Sequence, residues 1–152
     1  MAGLWFEELH VGQMFEHPLR RTVTEADNLL LTTLTHNPAA LHLDAEYMKD
    51  TEFGRVLVNS CFTLSLMVGI SVNDTTQGTA AANLGWDEVR FPAPVFIGDT
   101  LRIETEVLDL RDSKSRPKQG IVTFAHRAYN QDGALVASCK RTGLQHRRPK
   151  SD

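Results

Sequence analysis

Residues Asn59–Val72, reading NSCFTLSLMVGISV, are apolar nearly all round. The run is long for a strand, so its length favours a helix in spite of the β-branched residues within it. A helix without a polar face has to be buried. It is not a membrane span, because the apolar stretch Cys61–Val72 is too short to cross a bilayer and is interrupted by Thr63, Ser65, Gly69 and Ser71. The rest of the chain is therefore expected to wrap this segment.

The C-terminal half of the chain supplies a sheet. Four β-like runs come in succession, Ala80–Phe91, Thr100–Leu110, Gly120–Tyr129 and Ala134–Leu144. They are separated by Pro92-Ala93-Pro94 with Gly98-Asp99, by Asp112–Lys118 with Pro117, and by Asn130-Gln131-Asp132-Gly133, the last a strong hairpin signal. Upstream, Gln13–Val23 reads as a strand, and Thr24-Glu25-Ala26-Asp27 sets a capping threonine three residues before an acid. A helix should start there, carry Leu29, Leu30, Leu31 and Leu34, and stop near His36-Asn37-Pro38, because proline disfavours helical geometry in the residue before it. His36–His42 is then a loop, Asp44–Lys49 a short helix, and Gly54 a break. Strand, helices, buried helix and four strands make an α+β order with a helix for the sheet to enclose.

The chain has 152 residues, the size of one domain, and it is read as a single domain over 1–152. With 41% hydrophobic and 23% charged residues and a net charge of -3, it has the composition of a globular protein, and no nucleic-acid partner is expected. The cluster His146, Arg147, Arg148, Lys150 reads as a flexible basic tail over 145–152. Cys61 and Cys139 have no cysteine or histidine at metal-ligand spacing, so neither a metal site nor a disulfide framework is indicated. Met1–Phe15 holds Glu7, Glu8 and His10 and lacks a basic region followed by a long apolar run; no signal peptide, no membrane association and a cytoplasmic address are expected.

The segment Asn37-Pro38-Ala39-Ala40-Leu41-His42-Leu43-Asp44 narrows the reading further. It resembles the hydratase motif of the MaoC-like dehydratases and (R)-specific enoyl-CoA hydratases, in which an acid precedes a histidine by five positions and an Asp comes after it; His42 takes the histidine position and Asn37 that of the acid. Phe91-Pro92-Ala93-Pro94-Val95-Phe96-Ile97-Gly98-Asp99-Thr100-Leu101 is similar to that family's second signature, the turn before a long strand. Val58-Asn59-Ser60 stands where the family begins its central helix, with Ser60 in place of the usual glycine. Asn37, Arg116-Pro117 and Asp74-Thr75-Thr76-Gln77-Gly78 resemble the mesaconyl-CoA and itaconyl-CoA hydratase subgroup. The resemblance implies a hot-dog domain, a curved antiparallel sheet around one long buried helix. It implies an acyl-CoA thioester as partner, no cofactor beyond the coenzyme A of the substrate, and at least a homodimer with sheets paired edge to edge.

Adding water across an α,β-unsaturated thioester needs a base for the water, a proton for the α-carbon and stabilisation of charge on the thioester oxygen. His42 is the candidate base, since imidazole titrates near neutrality. Asn37 can only orient, because an amide neither gains nor loses a proton in this range. The oxyanion donor is expected to be a backbone N–H near Ser60 or Cys61, at the start of the buried helix, where unpaired amides and the helix dipole favour negative charge. Arg55, Arg90 and Arg116 are candidates for the CoA phosphates or a substrate carboxylate, Arg55 above all for the carboxylate. Two other readings compete. A hot-dog thioesterase would draw on Asp27, Asp44 or Glu46 to activate water, and a non-catalytic acyl-CoA-binding subunit would account for the departures at Asn37, Ala39 and Ala40.

Overall fold

In the computed structural model, which describes residues 3–149, the Thr24 signal does what its spacing requires. Thr24 Oγ1 accepts from the Asp27 N–H at 3.3 Å while the Asp27 carboxylate accepts from the Thr24 N–H at 2.8 Å, closing a capping box at the head of α1, Glu25–Leu34. Two short helices come next, α2, Ala40–Leu43, and α3, Ala45–Lys49, the second capped by Asp44, which accepts from the Tyr47 N–H. The central helix α4 runs Ser60–Thr75. The expected loop His36–His42 is thus corrected at its end, where one helical turn forms and carries His42.

The predicted Gln13–Val23 strand is split into β1, Met14–Glu16, and β2, Arg21–Thr22, because Pro18 offers no N–H to a ladder. Both pieces pair with β4, Thr100–Asp112. With β3, Ala80–Arg90, β5, Gln119–Tyr129, and β6, Leu135–His146, they form one antiparallel sheet in the order β1-β4-β5-β6-β3. Register shifts in β3 and between Val107 and Asp109 of β4 are bulges that bend the sheet around the helix. This is a hot-dog domain, and its core lies between Met67 and Ile70 of α4 and Leu101, Ile103, Ala128, Val136 and Ala137 of the sheet.

Two expectations need correction. Within one chain the central helix is not buried all round: Thr63, Met67, Ile70, Ser71 and Thr75 face the sheet, whereas Cys61, Ser65, Gly69 and Asn73, spaced four apart, form an exposed stripe. Nor does a flexible tail begin at 145. Strand β6 continues to His146, and Arg147 and Arg148 pair with Glu7, Glu8 and Asp112, so charge complementarity fastens what looked like a solvated basic run; Lys150 lies outside the described residues. Among the described residues no helix is long and apolar enough to cross a membrane, and both cysteines are free thiols.

A row of polar groups crosses the sheet beneath the C-terminal half of α4. Asp74 accepts from His17 Nδ1 at 2.8 Å, His17 Nε2 bonds the Thr105 hydroxyl at 2.8 Å, and that hydroxyl bonds His126 Nδ1 at 2.9 Å. His126 is fully buried, and desolvation, followed by the charges of Arg141 and His17, lowers its pKa from 6.5 to about 3. Below pH 6.5 the unfolded chain therefore takes up a proton that the folded chain refuses. Stability falls as pH falls through that window, by up to about 1.4 kcal/mol per unit, and the effect is absent above it. Urea titrations between pH 7 and 5 should show this slope in the wild type and a flatter one in His126→Gln.

Candidate active site

The site begins with polar residues on the buried face of α1. Asn28 and Thr32, one turn apart, are both buried, and they face the start of α4 rather than an apolar core. Asn28 Oδ1 accepts from the Asn59 N–H at 2.8 Å, and Asn59 Nδ2 donates to Thr32 Oγ1 at 3.2 Å. Asn59 in turn caps α4. Its side-chain oxygen accepts from the Cys61 N–H at 3.0 Å, and its carbonyl accepts from Phe62 and Thr63. Of the first-turn amides of α4 only that of Ser60 has no protein acceptor among the described residues.

Between α1 and α2 the chain turns sharply. His36 adopts φ 54, a left-handed conformation that few side chains tolerate, and the Asn37 side chain accepts from the Ala39 N–H at 3.0 Å in an Asx turn. This turn delivers His42 to the segment that precedes α4. There Leu57 donates to the Leu41 carbonyl at 3.0 Å, and His42 Nδ1 meets the Leu57 carbonyl at 2.9 Å. A carbonyl can only accept, so Nδ1 carries the proton and neutral His42 keeps its lone pair on Nε2.

His42, Ser60 and Thr63 line one cavity of about 540 Å³ together with Leu41, Phe53, Leu57, Val58, the Phe91–Val95 segment and Val136. Its walls are largely apolar, with an imidazole and a helix N-terminus on them. Among the described residues neither a carboxylate nor a cation lines it, and no cluster of His, Cys, Asp or Glu fits a metal ion. A larger groove at the far end of the chain, near Trp5, Gly78 and Lys118, has arginines already neutralised by Glu7, Glu8 and Asp112.

The expected site residues divide accordingly. His42 and Ser60 come together. The amide of Cys61 does not serve, because the cap on α4 already engages it. Asn37 is held in its own turn by its side-chain oxygen, leaving the Nδ2 group as its remaining donor, and it does not line the cavity. Arg55 lies over the Phe96 ring at 3.7 Å and Arg90 is exposed beside the lining residue Phe91; neither lines the cavity. Arg116 is exposed in the β4–β5 turn, whose Pro117 and Lys118 border the groove at the far end, away from His42. Asp27, Asp44 and Glu46 are occupied in the capping box, in the α3 cap and with Lys49. The sequence reading missed Asn28, Asn59 and Thr32; the one available signal was a pair of polar residues at helical spacing among leucines.

Comparison with known proteins gives the chain's family. A family model described as the MaoC like domain matches residues 7–130. The chain is 33% identical over 147 residues to mesaconyl-CoA hydratase of Cereibacter sphaeroides, covering 97% of this chain and 42% of the relative. It therefore spans less than half the length of that protein. It is 31% identical over 132 residues to the (R)-specific enoyl-CoA hydratase of Aeromonas caviae, covering 87% of this chain and 92% of that one. Among solved structures, the monoamine oxidase regulatory protein of Archaeoglobus fulgius superposes with a TM-score of 0.86 at 33% identity over 98% of both chains. A Mycobacterium tuberculosis protein with a double hotdog fold superposes with a TM-score of 0.88 at 23% identity over 99% of this chain and 46% of its own, a likeness of fold.

The cap on α4 should carry stability independently of any reaction. Asn59→Ala removes the bond to Cys61 and the donor to Thr32, and chemical denaturation is expected to show a loss of about 2 kcal/mol.

Proposed function

From the chain's membership of the MaoC-like dehydratase family, we propose that it is an enoyl-CoA hydratase, adding water reversibly to an α,β-unsaturated acyl-CoA thioester. One observation carries the reading: His42, whose Nδ1 is committed to the Leu57 carbonyl, and Ser60, whose N–H has no protein acceptor among the described residues, line one apolar cavity. In this mechanism Nε2 takes a proton from water as the oxygen bonds the β-carbon. The C=C electron pair moves toward the thioester oxygen, where the Ser60 N–H and the N-terminus of α4 hold the charge. His42 then returns the proton to the α-carbon. Asn37 has no part in proton transfer and acts by shaping the turn that presents His42. No cofactor is required beyond the coenzyme A of the substrate, and Arg90, beside the cavity at Phe91, is the cation best placed for its phosphates.

The likeness to mesaconyl-CoA hydratase favours a branched C5 dicarboxylic acyl group as one substrate. A thioesterase is less well supported, because a carboxylate is missing from the cavity lining among the described residues. Incubation with crotonyl-, mesaconyl- and itaconyl-CoA, following loss of enoyl absorbance and release of free thiol separately, tests all three readings. The hydratase reading requires the first signal without the second; thiol release identifies a thioesterase, since hydrolysis also ends the conjugation of the double bond with the thioester and lowers the same absorbance, and binding of a thioester with neither signal identifies a binding subunit.

Two substitutions probe the chemistry. His42→Ala should abolish hydration while leaving the protein folded. Ser60→Pro deletes only the proposed oxyanion donor: proline suits the first position of a helix, and Asn59, at φ -59 and ψ 125, already has the extended geometry that proline demands of its predecessor. A fall in kcat of about 100- to 1,000-fold with an unchanged circular dichroism spectrum is expected.

We further propose a homodimer joined through β3. This strand ends the sheet and exposes Leu84 and Trp86. An uncovered edge of this length invites pairing with a second one. Light scattering should report twice the chain mass, and a charged residue at Leu84 should shift the protein toward monomer.

A further inference from the structure

We infer that Asn28 is a positioning residue that locks the catalytic base and the oxyanion donor into one rigid unit; this rests on the hydratase reading above. Asn28 is 2% exposed on α1, and its amide is used at both ends. Nδ2 donates to the backbone carbonyl of His42 at 3.0 Å, and Oδ1 accepts from the Asn59 N–H at 2.8 Å. The first bond pins the residue whose imidazole removes the proton. The second pins the residue whose following peptide carries the Ser60 N–H. These two functional groups come from separate segments, α2 and the head of α4, joined by the short helix α3 and the non-helical residues that follow it.

The other links between the segments run backbone to backbone, Leu57 to Leu41, or through the His42 ring itself to the Leu57 carbonyl. Asn28 is the one buried side chain among the described residues that contacts both the His42 and the Asn59 backbone. Asparagine is needed because the clamp requires one donor and one acceptor on a short planar group. Aspartate would keep the acceptor for Asn59 and lose the donor, setting a charged oxygen against the His42 carbonyl. Thr105 provides an internal control. It is also a buried polar side chain held between two partners, His17 and His126, but it has no bond to His42 or Asn59.

The test measures hydration kinetics and stability for Asn28→Asp, Asn28→Ser and Thr105→Val, with ¹⁵N spectra of the His42 ring. Both Asn28 variants are expected to lose kcat at least 10-fold with KM within threefold, and to lose the fixed Nδ1–H tautomer of His42. Asn28→Ser, neutral and smaller, carries the test if Asn28→Asp does not fold. Thr105→Val should lose stability but keep kcat within about twofold and the tautomer unchanged. The inference is overturned if the Asn28 variants keep kcat within threefold, if only KM rises, or if Thr105→Val loses kcat as they do. Should the wild type hydrate no enoyl-CoA, the hydratase reading fails on its own, and the imidazole spectra alone decide whether Asn28 fixes His42.

Discussion

The constraint on which the rest of this structure depends is the need to satisfy the amides at the head of α4 where that helix enters the interior. A helix leaves its first N–H groups without intrahelical partners, and in apolar surroundings each orphan is costly. Here Asn59 meets the need from within, through its side chain and its carbonyl, and Asn28 and Thr32 brace Asn59 from the facing helix. That small polar cluster sits inside an otherwise hydrophobic architecture. It fixes where α4 starts, hence where the sheet can close on Met67 and Ile70, and where the approach to Ser60 stays open.

The same cluster explains how a site with few reactive groups can be chemically directed. His42 has no carboxylate beside it to orient the ring; a backbone carbonyl, Leu57, does that instead. A neutral acceptor selects the tautomer without adding charge to the cavity. With no carboxylate or cation among the described lining residues, the cavity is an apolar environment in which a single helix N-terminus acts strongly on developing negative charge. Asn37 at the position of the usual acid fits this economy, since its amide serves the turn rather than the proton.

The half-open central helix connects the fold to assembly. Cys61, Ser65, Gly69 and Asn73 leave one face of α4 open and β3 forms one edge of the sheet, and both are features that an isolated hot-dog domain leaves uncovered.

Much of this could be read along the chain because it rests on local chemistry. The Thr24 capping box, the break at Pro38, the apolar Asn59–Val72 run and the Asn130–Gly133 hairpin are short-range signals, and each produced its element. The motif around His42 likewise pointed to a histidine and a helix start that line one cavity. What local reasoning could not supply was pairing between distant segments. Arg147 and Arg148 looked like a free tail because Glu7 and Glu8 lie almost the whole chain away. Cys61 looked as good a donor as Ser60 until Asn59 claimed its amide, and Arg116 looked close to the site until the sheet carried it to the other end. By itself the sequence determined the order of elements, the central helix and the segment that carries His42. Tertiary structure alone decided which amide stayed free and which nitrogen of His42 kept its lone pair, because both depend on hydrogen bonds that only the folded chain brings within 3 Å.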